Sequence, residues 1–384
     1  MAERLYLDWN ATAPLRPEAH AAMSAALALT GNASSVHAEG RAARAMIEAA
    51  RQQVAALVGA EARNVTFTSG ATEANMLALT PAIEIGGRKE PRDRLFVSAV
   101  EHPSVKSGGR FAAASIETLS VTGAGIVDLQ ALKIAVARAA HPLVSVMLAN
   151  NETGVTQPIA DIAEIVHAAD GILHVDAVQA PGRISICIEA LGADLLTLSS
   201  HKIGGPQGAG ALVRRGDLHI SDALIKGGGQ ERGLRAGTEN VAAIAGFGAA
   251  AAIAMQADAK LMAALRDRLE TGLKSATSDA VIFGEAAPRL PNTTLFAVPG
   301  VKAETAIIAF DLNGVALSSG AACSSGKITA SPVLAAMGVE PALSRGALRV
   351  SLGATTTEAD IERFLGTWIV LAGSLLKERR GIAA

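Results

Sequence analysis

The chain has 384 residues, 18% of them charged and 3% aromatic, with a formal net charge of −2. That balance excludes a nucleic-acid surface, which needs a basic stripe and stacking aromatics, while the length is ample for a buried core and two or three domains. The mean hydropathy of +0.32 comes mainly from alanine, the longest apolar run (Val241–Met255) is too short to span a bilayer, and MAERLYLDWN has no apolar leader core, so a soluble, cytoplasmic protein is expected.

In chain order, strands alternate with helices from about residue 16 to residue 258, the pattern of a mostly parallel sheet covered on both faces. Helices are expected at 41–58, 158–169 and 239–276, the last long enough to bridge two domains. Asn64–Gly70 alternates like a strand and Ala71–Leu79 begins a helix. The free N–H groups and dipole at that turn make an anion seat, with Ser69 and Thr72 as extra donors. Neither a Walker A loop nor a GxGxxG fingerprint occurs. Residues 172–179, ILHVDAVQ, form another short apolar strand ending at Asp176 and Gln179. In Asp194–Gly210 the apolar run of Leu195, Leu196 and Leu198 stops at Ser199, Ser200, His201 and Lys202, and glycines follow. Lys202 therefore stands just beyond a strand end, where α/β proteins place their chemistry. Strand-like pieces at 281–284, 293–297 and 347–351, with helices near 302–311, 331–338 and 357–376, read as a smaller α+β domain. There are no internal repeats and no low-complexity linker.

A lysine at a strand end, with hydroxyls beside it and no acidic neighbour, suits a Schiff-base amine. A pyridoxal phosphate site needs such a lysine and a carboxylate against the pyridine nitrogen, and Lys202 and Asp176 would supply both. Taken singly, a lysine among glycines is ordinarily exposed, and an aspartate after a strand is ordinarily a helix cap. The two cysteines, Cys187 and Cys323, offer no disulfide framework and no multi-cysteine metal site. Cys187 lies among apolar residues in RISICIEAL and is expected to be buried and inert. Cys323 lies in the small, polar run Leu317–Gly326, with Lys327 just after, a setting that suits an accessible, reactive thiol.

These motifs, in this order, resemble those of the cysteine desulfurases, the NifS/IscS-like group of class V aminotransferase-type enzymes. The resemblance runs nearly end to end through LDWNATAPL, NASSVHAEGR, TSGATEAN, EHPSV, NNETGVTQPI, HVDAVQ, SSHKIGGPQGAGAL, GGGQERGLRAGTEN, SSGAACSSG and RVSLGATTTEADI. It implies the type I fold of pyridoxal-phosphate-dependent transferases, with a mostly parallel seven-stranded sheet in a large domain over 16–258. A small domain of 1–15 and 259–384 would carry Cys323 and Arg349. By the same resemblance Lys202 bonds the cofactor, Asp176 meets its ring nitrogen, and Gln179 donates to its phenolic oxygen. His102 stacks on the ring and is a proton-shuttle candidate. Ala71, Thr72, Ser199 and His201 hold the phosphate, together with Thr238 donated by the other subunit of a homodimer. Arg349 clamps the carboxylate of L-cysteine, with Asn151 beside it and beside the cofactor. Cys323 receives the sulfur as a persulfide, leaving L-alanine, and passes it to an acceptor protein such as an iron–sulfur scaffold. No metal is implied.

Some positions depart from the family. Ala33, Met76 and Gln207 stand where proline, asparagine and lysine are common, and Lys327–Ala330 differs after the cysteine. Longer members carry a C-terminal extension that docks a scaffold, whereas this chain stops at KERRGIAA, leaving the acceptor open. The competing readings are a selenocysteine lyase, an aminotransferase with an idle Cys323, and a non-enzymatic relative. The set Lys202, Asp176, His102 and Arg349 weighs against the last.

Overall fold

The structure, a computed structural model, describes residues 4–87, 91–216, 218–319 and 330–382, with side chains as far as Leu375. Its larger sheet follows from two-residue alternation of apolar side chains. Leu173 and Val175, Leu196 and Leu198, and Val144 and Val146 face one hydrophobic cluster. Ile172, Leu195, Leu143 and Leu95 face another on the opposite side. Both faces are buried, as expected of a sheet covered by helices on each side.

Seven strands make this sheet, in the spatial order 65–68, 210–214, 195–199, 172–176, 142–147, 94–98 and 116–119. Gly210–Arg214 pairs antiparallel with both of its neighbours, and the other pairings are parallel. The carboxyl ends of the parallel strands therefore share one edge. Ser98, Met147, Asp176 and Ser199 are the last strand residues there, and the segments that follow them carry the candidate chemistry. One face is packed by Ala38–Leu57 and Val241–Ala254, whose Ile47, Val54, Phe247 and Ala250 join the first cluster. The other face is packed by Ala71–Ala78 through Ala74, Leu77 and Ala78.

A smaller antiparallel sheet has the order 281–282, 293–297, 348–351 and 318–319. It is buried by Ala259–Ala276 and Glu358–Ile382 around Phe296, Phe310, Phe364 and Trp368. Leu5 and Leu7 belong to that cluster, and Leu5–Tyr6 pairs in parallel with Val315–Ala316.

The helix expected over 239–276 is two helices, Val241–Ala254 and Ala259–Ala276, bent by 79°. Asp258 causes the break: its carboxylate accepts from the N–H groups of Lys260 and Leu261 and starts a new helix. No single helix among the described residues is long and apolar enough to cross a membrane. Cys187 is exposed rather than buried. It sits in extended conformation ahead of the short helix Ile188–Leu191, so Ile186 and Ile188 turn inward and the residue between them turns out.

Candidate active site

Two neighbouring strand ends meet beside Lys202. Leu195–Ser199 runs into the single turn Ser200–Lys202, and Asp176 ends the adjacent strand in register with Thr197. The Lys202 ammonium donates to the carbonyls of Asn10 and Ala11, at 2.6 and 2.8 Å. Burial, then the Arg349 and Arg183 guanidiniums, push the amine down to about 7, against the pull of Asp8 and Asp176. Much of it is therefore unprotonated near neutral pH, the form a nucleophilic or proton-accepting amine requires.

Asp176 is buried, and its carboxylate is oriented by two donors. Asn75 Nδ2 lies 2.9 Å from Oδ2, and the Val178 N–H lies 3.1 Å from Oδ1. Asn75 Nδ2 also lies 3.0 Å from Ser104 Oγ, and Ser104 contacts His102 Nδ1 at 2.8 Å. The Ser104 N–H donates to the same His102 Nδ1 at 3.2 Å, so Nδ1 is an acceptor and the proton sits on Nε2. Burial lowers the His102 pKa, with Asp176 raising it and Lys202 lowering it, so the neutral imidazole dominates.

Gln179 has an orientation fixed by a donor-only partner. Arg183 Nη1 donates to Gln179 Oε1 and, at 2.7 Å, to its carbonyl, so the amide NH₂ is the end that donates to Asn10 O at 3.1 Å. One N–H of that group remains for the site. Arg183 is itself buried, and burial and Arg349 lower its pKa to about 9.

The anion seat forms at the start of Ala71–Ala78, where Gly70 is the cap and supplies no side chain. A Cβ on Gly210 would lie 2.5 Å from the Gly70 carbonyl carbon and 2.9 Å from Ala71 N, so only glycine lets that strand approach the turn. Thr72 is exposed at this end and Ser199 is buried beside it in the sheet. The Ser69 hydroxyl and N–H both donate to Glu73, and Arg235 holds the other Glu73 oxygen at 3.0 Å. Ser69 is thus committed within the turn rather than free as an extra donor. His201 Nδ1 meets Thr12 Oγ1 at 3.2 Å, and burial followed by Lys202 lowers its pKa to about 4. Thr238 is exposed, and among the described residues no hydrogen bond to its side chain is found.

Arg349, on the smaller sheet, is buried and turned toward the larger one. Its Nη2 donates to Asp8 Oδ1 at 2.7 Å and its Nη1 to Asn151 O at 2.9 Å. Its Nε is buried without a partner among the described residues, a donor that a substrate carboxylate can satisfy. Asn151 lies in a turn fixed by Asn150, whose Oδ1 accepts from the N–H groups of Glu152 and Thr153, each at 2.9 Å. Cys323 lies outside the described residues.

Several contributors escaped the sequence reading. Asp8, Asn10 and the carbonyls of the LDWNATAPL segment touch Lys202, Gln179 and Arg349, although only the motif's presence was legible. Glu101, adjacent to His102, is fully buried. Its Oε1 accepts from Met147 N at 2.7 Å, and burial and Asp176 raise its pKa well above the usual carboxylate range. Below the site, His174 bridges Ser145 Oγ at 2.8 Å and Thr197 Oγ1 at 2.9 Å, and burial drives its pKa down to about 3.

A set comprising a low-pKa lysine, an oriented carboxylate, an anion seat at a helix start and an arginine with an unmet donor fits pyridoxal 5′-phosphate and an amino-acid substrate. The sequence pattern of the family described as Aminotransferase class-V matches residues 5–364. The chain is 42% identical over 369 residues to a cysteine desulfurase of Cereibacter sphaeroides, covering 94% of each. It is 38% identical over 391 residues to an IscS-like cysteine desulfurase of Mycobacterium tuberculosis, covering 99% of this chain and 98% of that one. Among solved structures, a NifS-like protein from Rickettsia africae superposes with a TM-score of 0.86 at 38% identity, over 95% of this chain and 98% of the other.

Proposed function

The chain belongs to the class V aminotransferase family, as a NifS/IscS-like cysteine desulfurase, and on that premise we propose how its own residues divide the work. The large domain spans 16–258, and the small domain, built from 1–15 and 259–384, brings Arg349 and Cys323 to it. Lys202 would hold the cofactor through its aldehyde, Asp176 would pair with the ring nitrogen and Gln179 would donate to the phenolic oxygen, with Asn151 and His102 as its further contacts. Ala71, Thr72, Ser199 and His201 would hold the phosphate, and Thr238 would serve the phosphate of a second copy in a homodimer. When bound, pyridoxal 5′-phosphate supplies the sink for electrons left on the substrate Cα.

L-Cysteine enters with its carboxylate on Arg349, whose buried Nε lacks a partner among the described residues. Asp8 and Asn151 O fix the other two guanidinium nitrogens. Lys202, as an unprotonated amine, would take the substrate Cα proton. His102 presents Nε2–H beside it and can exchange a proton there. The Cys323 thiolate then attacks the substrate sulfur. Its S–S bond forms as the substrate Cβ–Sγ bond breaks, and the electron pair goes to the carbon side, where protonation gives L-alanine. The balance is L-cysteine plus a thiol giving L-alanine plus a persulfide, with no outside oxidant. The persulfide passes to an acceptor protein such as an iron–sulfur scaffold in the cytoplasm.

The observation that carries this reading is the place of Lys202, one turn past a strand end beside Asp176 and bonded to the Asn10 and Ala11 carbonyls, where burial and the Arg349 and Arg183 guanidiniums push its amine down to about 7. The test is alanine and sulfide release from L-cysteine with a thiol reductant, after recording the visible absorbance of bound cofactor. Wild type should make both products, and Cys323→Ala should keep the absorbance and stop. Alanine formation by Cys323→Ala at the wild-type rate would remove the thiol from the mechanism.

A further inference from the structure

Asn10 is buried, yet each of its polar atoms has a partner, and none of the steps above uses its side chain. Its N–H donates to Ser351 Oγ at 3.0 Å. Its Nδ2 donates to Asn151 O at 3.2 Å and to Thr293 Oγ1 at 2.9 Å. Asn292 Nδ2 donates to Asn10 Oδ1 at 3.1 Å and to Leu352 O at 3.0 Å. The Thr293 hydroxyl donates in turn to Asn292 Oδ1 at 2.9 Å. The carbonyls of Asn151 and Leu352 can only accept, which fixes the NH₂ end of each amide. The three side chains therefore close a ring, from Asn10 to Thr293 to Asn292 and back to Asn10. Asn292 and Thr293 are buried as well, and hydrogen bonds linked in this way strengthen one another at low dielectric.

The ring stands between two groups that the reaction needs in register. Asn151 O, which Asn10 Nδ2 holds, also accepts from Arg349 Nη1 at 2.9 Å. The Asn10 carbonyl accepts from Lys202 Nζ at 2.6 Å and from Gln179 Nε2 at 3.1 Å. One residue thus touches the proton-accepting amine with its main chain and the support of the carboxylate clamp with its side chain. Thr293 begins the strand Thr293–Ala297, which pairs with the strand of Arg349 through Thr293 with Ser351 and Leu295 with Arg349. The ring therefore anchors Asn10 to the sheet that carries the clamp. We propose that Asn10, locked by Asn292 and Thr293, is a positioning residue that keeps Lys202 and Arg349 at one fixed separation, so that an amino acid held by its carboxylate turns its Cα–H toward the lysine. Proton transfer depends steeply on such placement. The same carbonyl, with that of Ala11 at 2.8 Å, accepts from the ammonium that forms when the proton arrives.

This inference rests on Lys202 as the base and Arg349 as the carboxylate clamp, and the test separates its failure from theirs. Thr293→Val keeps the shape of the side chain and opens the ring, whereas Thr293→Ser keeps the hydroxyl that closes it. Asn10→Ala opens the ring from its other side and carries the same expectations if the valine variant does not fold. In the cofactor-loaded enzyme, Thr293→Val should lower kcat for alanine formation from L-cysteine by roughly 10- to 100-fold. The isotope effect of α-deuterated L-cysteine on kcat should grow, because proton removal slows relative to the steps after it. In cofactor-free Thr293→Val, the pH midpoint for capture of pyridoxal 5′-phosphate should fall by roughly half a unit, because a displaced Asn10 carbonyl favours the ammonium less. The charged and titratable groups around the amine, namely Arg349, Arg183, Asp8, Asp176, His102 and His201, are the same in each variant. Thr293→Ser should restore all three quantities. A fall in kcat with the isotope effect and the midpoint both at wild-type values would assign the ring to stability alone and overturn the inference. If the wild type is active and Thr293→Val matches it throughout, only the positioning role fails. If the wild type makes no alanine from L-cysteine, the roles of Lys202 and Arg349 and this one fail together.

Discussion

Arg51→Met tests whether the GGGQERGLRAGTEN segment is held by one buried ion pair. Arg51 Nη1 and Nη2 meet the two oxygens of Glu231 at 2.7 and 2.8 Å, and the side chains are only 5% and 3% exposed. Glu231 Oε2 also accepts from Phe67 N at 2.9 Å, and the guanidinium lies 4.8 Å from the Phe67 ring centroid. Glu231 and Arg232 both have left-handed backbone, with φ of 47° and 57°, a conformation that non-glycine residues hold only when their contacts demand it. Arg51→Met leaves a buried carboxylate with one backbone donor, a loss of about 3–5 kcal/mol. Urea unfolding should be followed by far-UV circular dichroism at fixed protein concentration, because Trp368 reports the small-sheet cluster and Trp9 lies in the N-terminal segment. The double variant Arg51→Met/Glu231→Gln should be more stable than Arg51→Met alone, since the stranded charge is gone. A single-variant cost below about 1 kcal/mol, or a double variant no better than the sum of its parts, would refute the argument.

Three further outcomes are expected. In the cofactor-free protein, the rate at which Lys202 captures pyridoxal 5′-phosphate should rise with pH through a midpoint near 7; Arg183→Gln removes a like charge and should move that midpoint upward. His174 is neutral in the fold, with a pKa near 3 against 6.5 when unfolded. Its stabilising contribution is therefore complete above about pH 6.5 and is lost as pH falls toward 3, by at most about 5 kcal/mol. His174→Gln should flatten the acid side of a plot of urea midpoint against pH, and an unchanged slope would count against the assignment. Finally, native Cys323→Ala should still titrate one thiol with a disulfide reagent, namely the exposed Cys187; a silent variant would mean that Cys187 is shielded.

The parts of this architecture legible in the sequence are those governed by short-range pattern. Leu195–Ser199 and Ile172–Asp176 announce themselves because apolar alternation stops at polar residues, and those stops are where Lys202 and Asp176 stand. Misreadings came where one pattern hides another. Asp258 looks like a solvent-facing residue of a long helix, but its carboxylate begins a second one. Cys187 looks submerged among isoleucines, but alternation turns it outward. What no window could show are the pairs joined only by the fold: Asp8 with Arg349, Arg51 with Glu231, and Ser331 with Glu152. Each needs two distant charges or hydroxyls to be desolvated together, and sequence spacing carries no trace of that.

The N-terminal segment has a consequence for how the protein is made. Leu5 leaves the ribosome 310 residues ahead of its pairing partner Val315 (315 − 5 = 310), and Asp8 waits longer for its bridge to Ser351. At about 5–20 residues per second, that delay is roughly 15 to 60 seconds. Throughout it the larger sheet can form around Lys202, but the segment whose Asn10 and Ala11 carbonyls hold the amine has no strand to lie against. A nascent chain stalled before residue 351 would carry a reactive lysine without its keeper. Catalytic competence therefore waits on the arrival of the strand Leu348–Ser351 rather than on the folding of the sheet that bears the lysine.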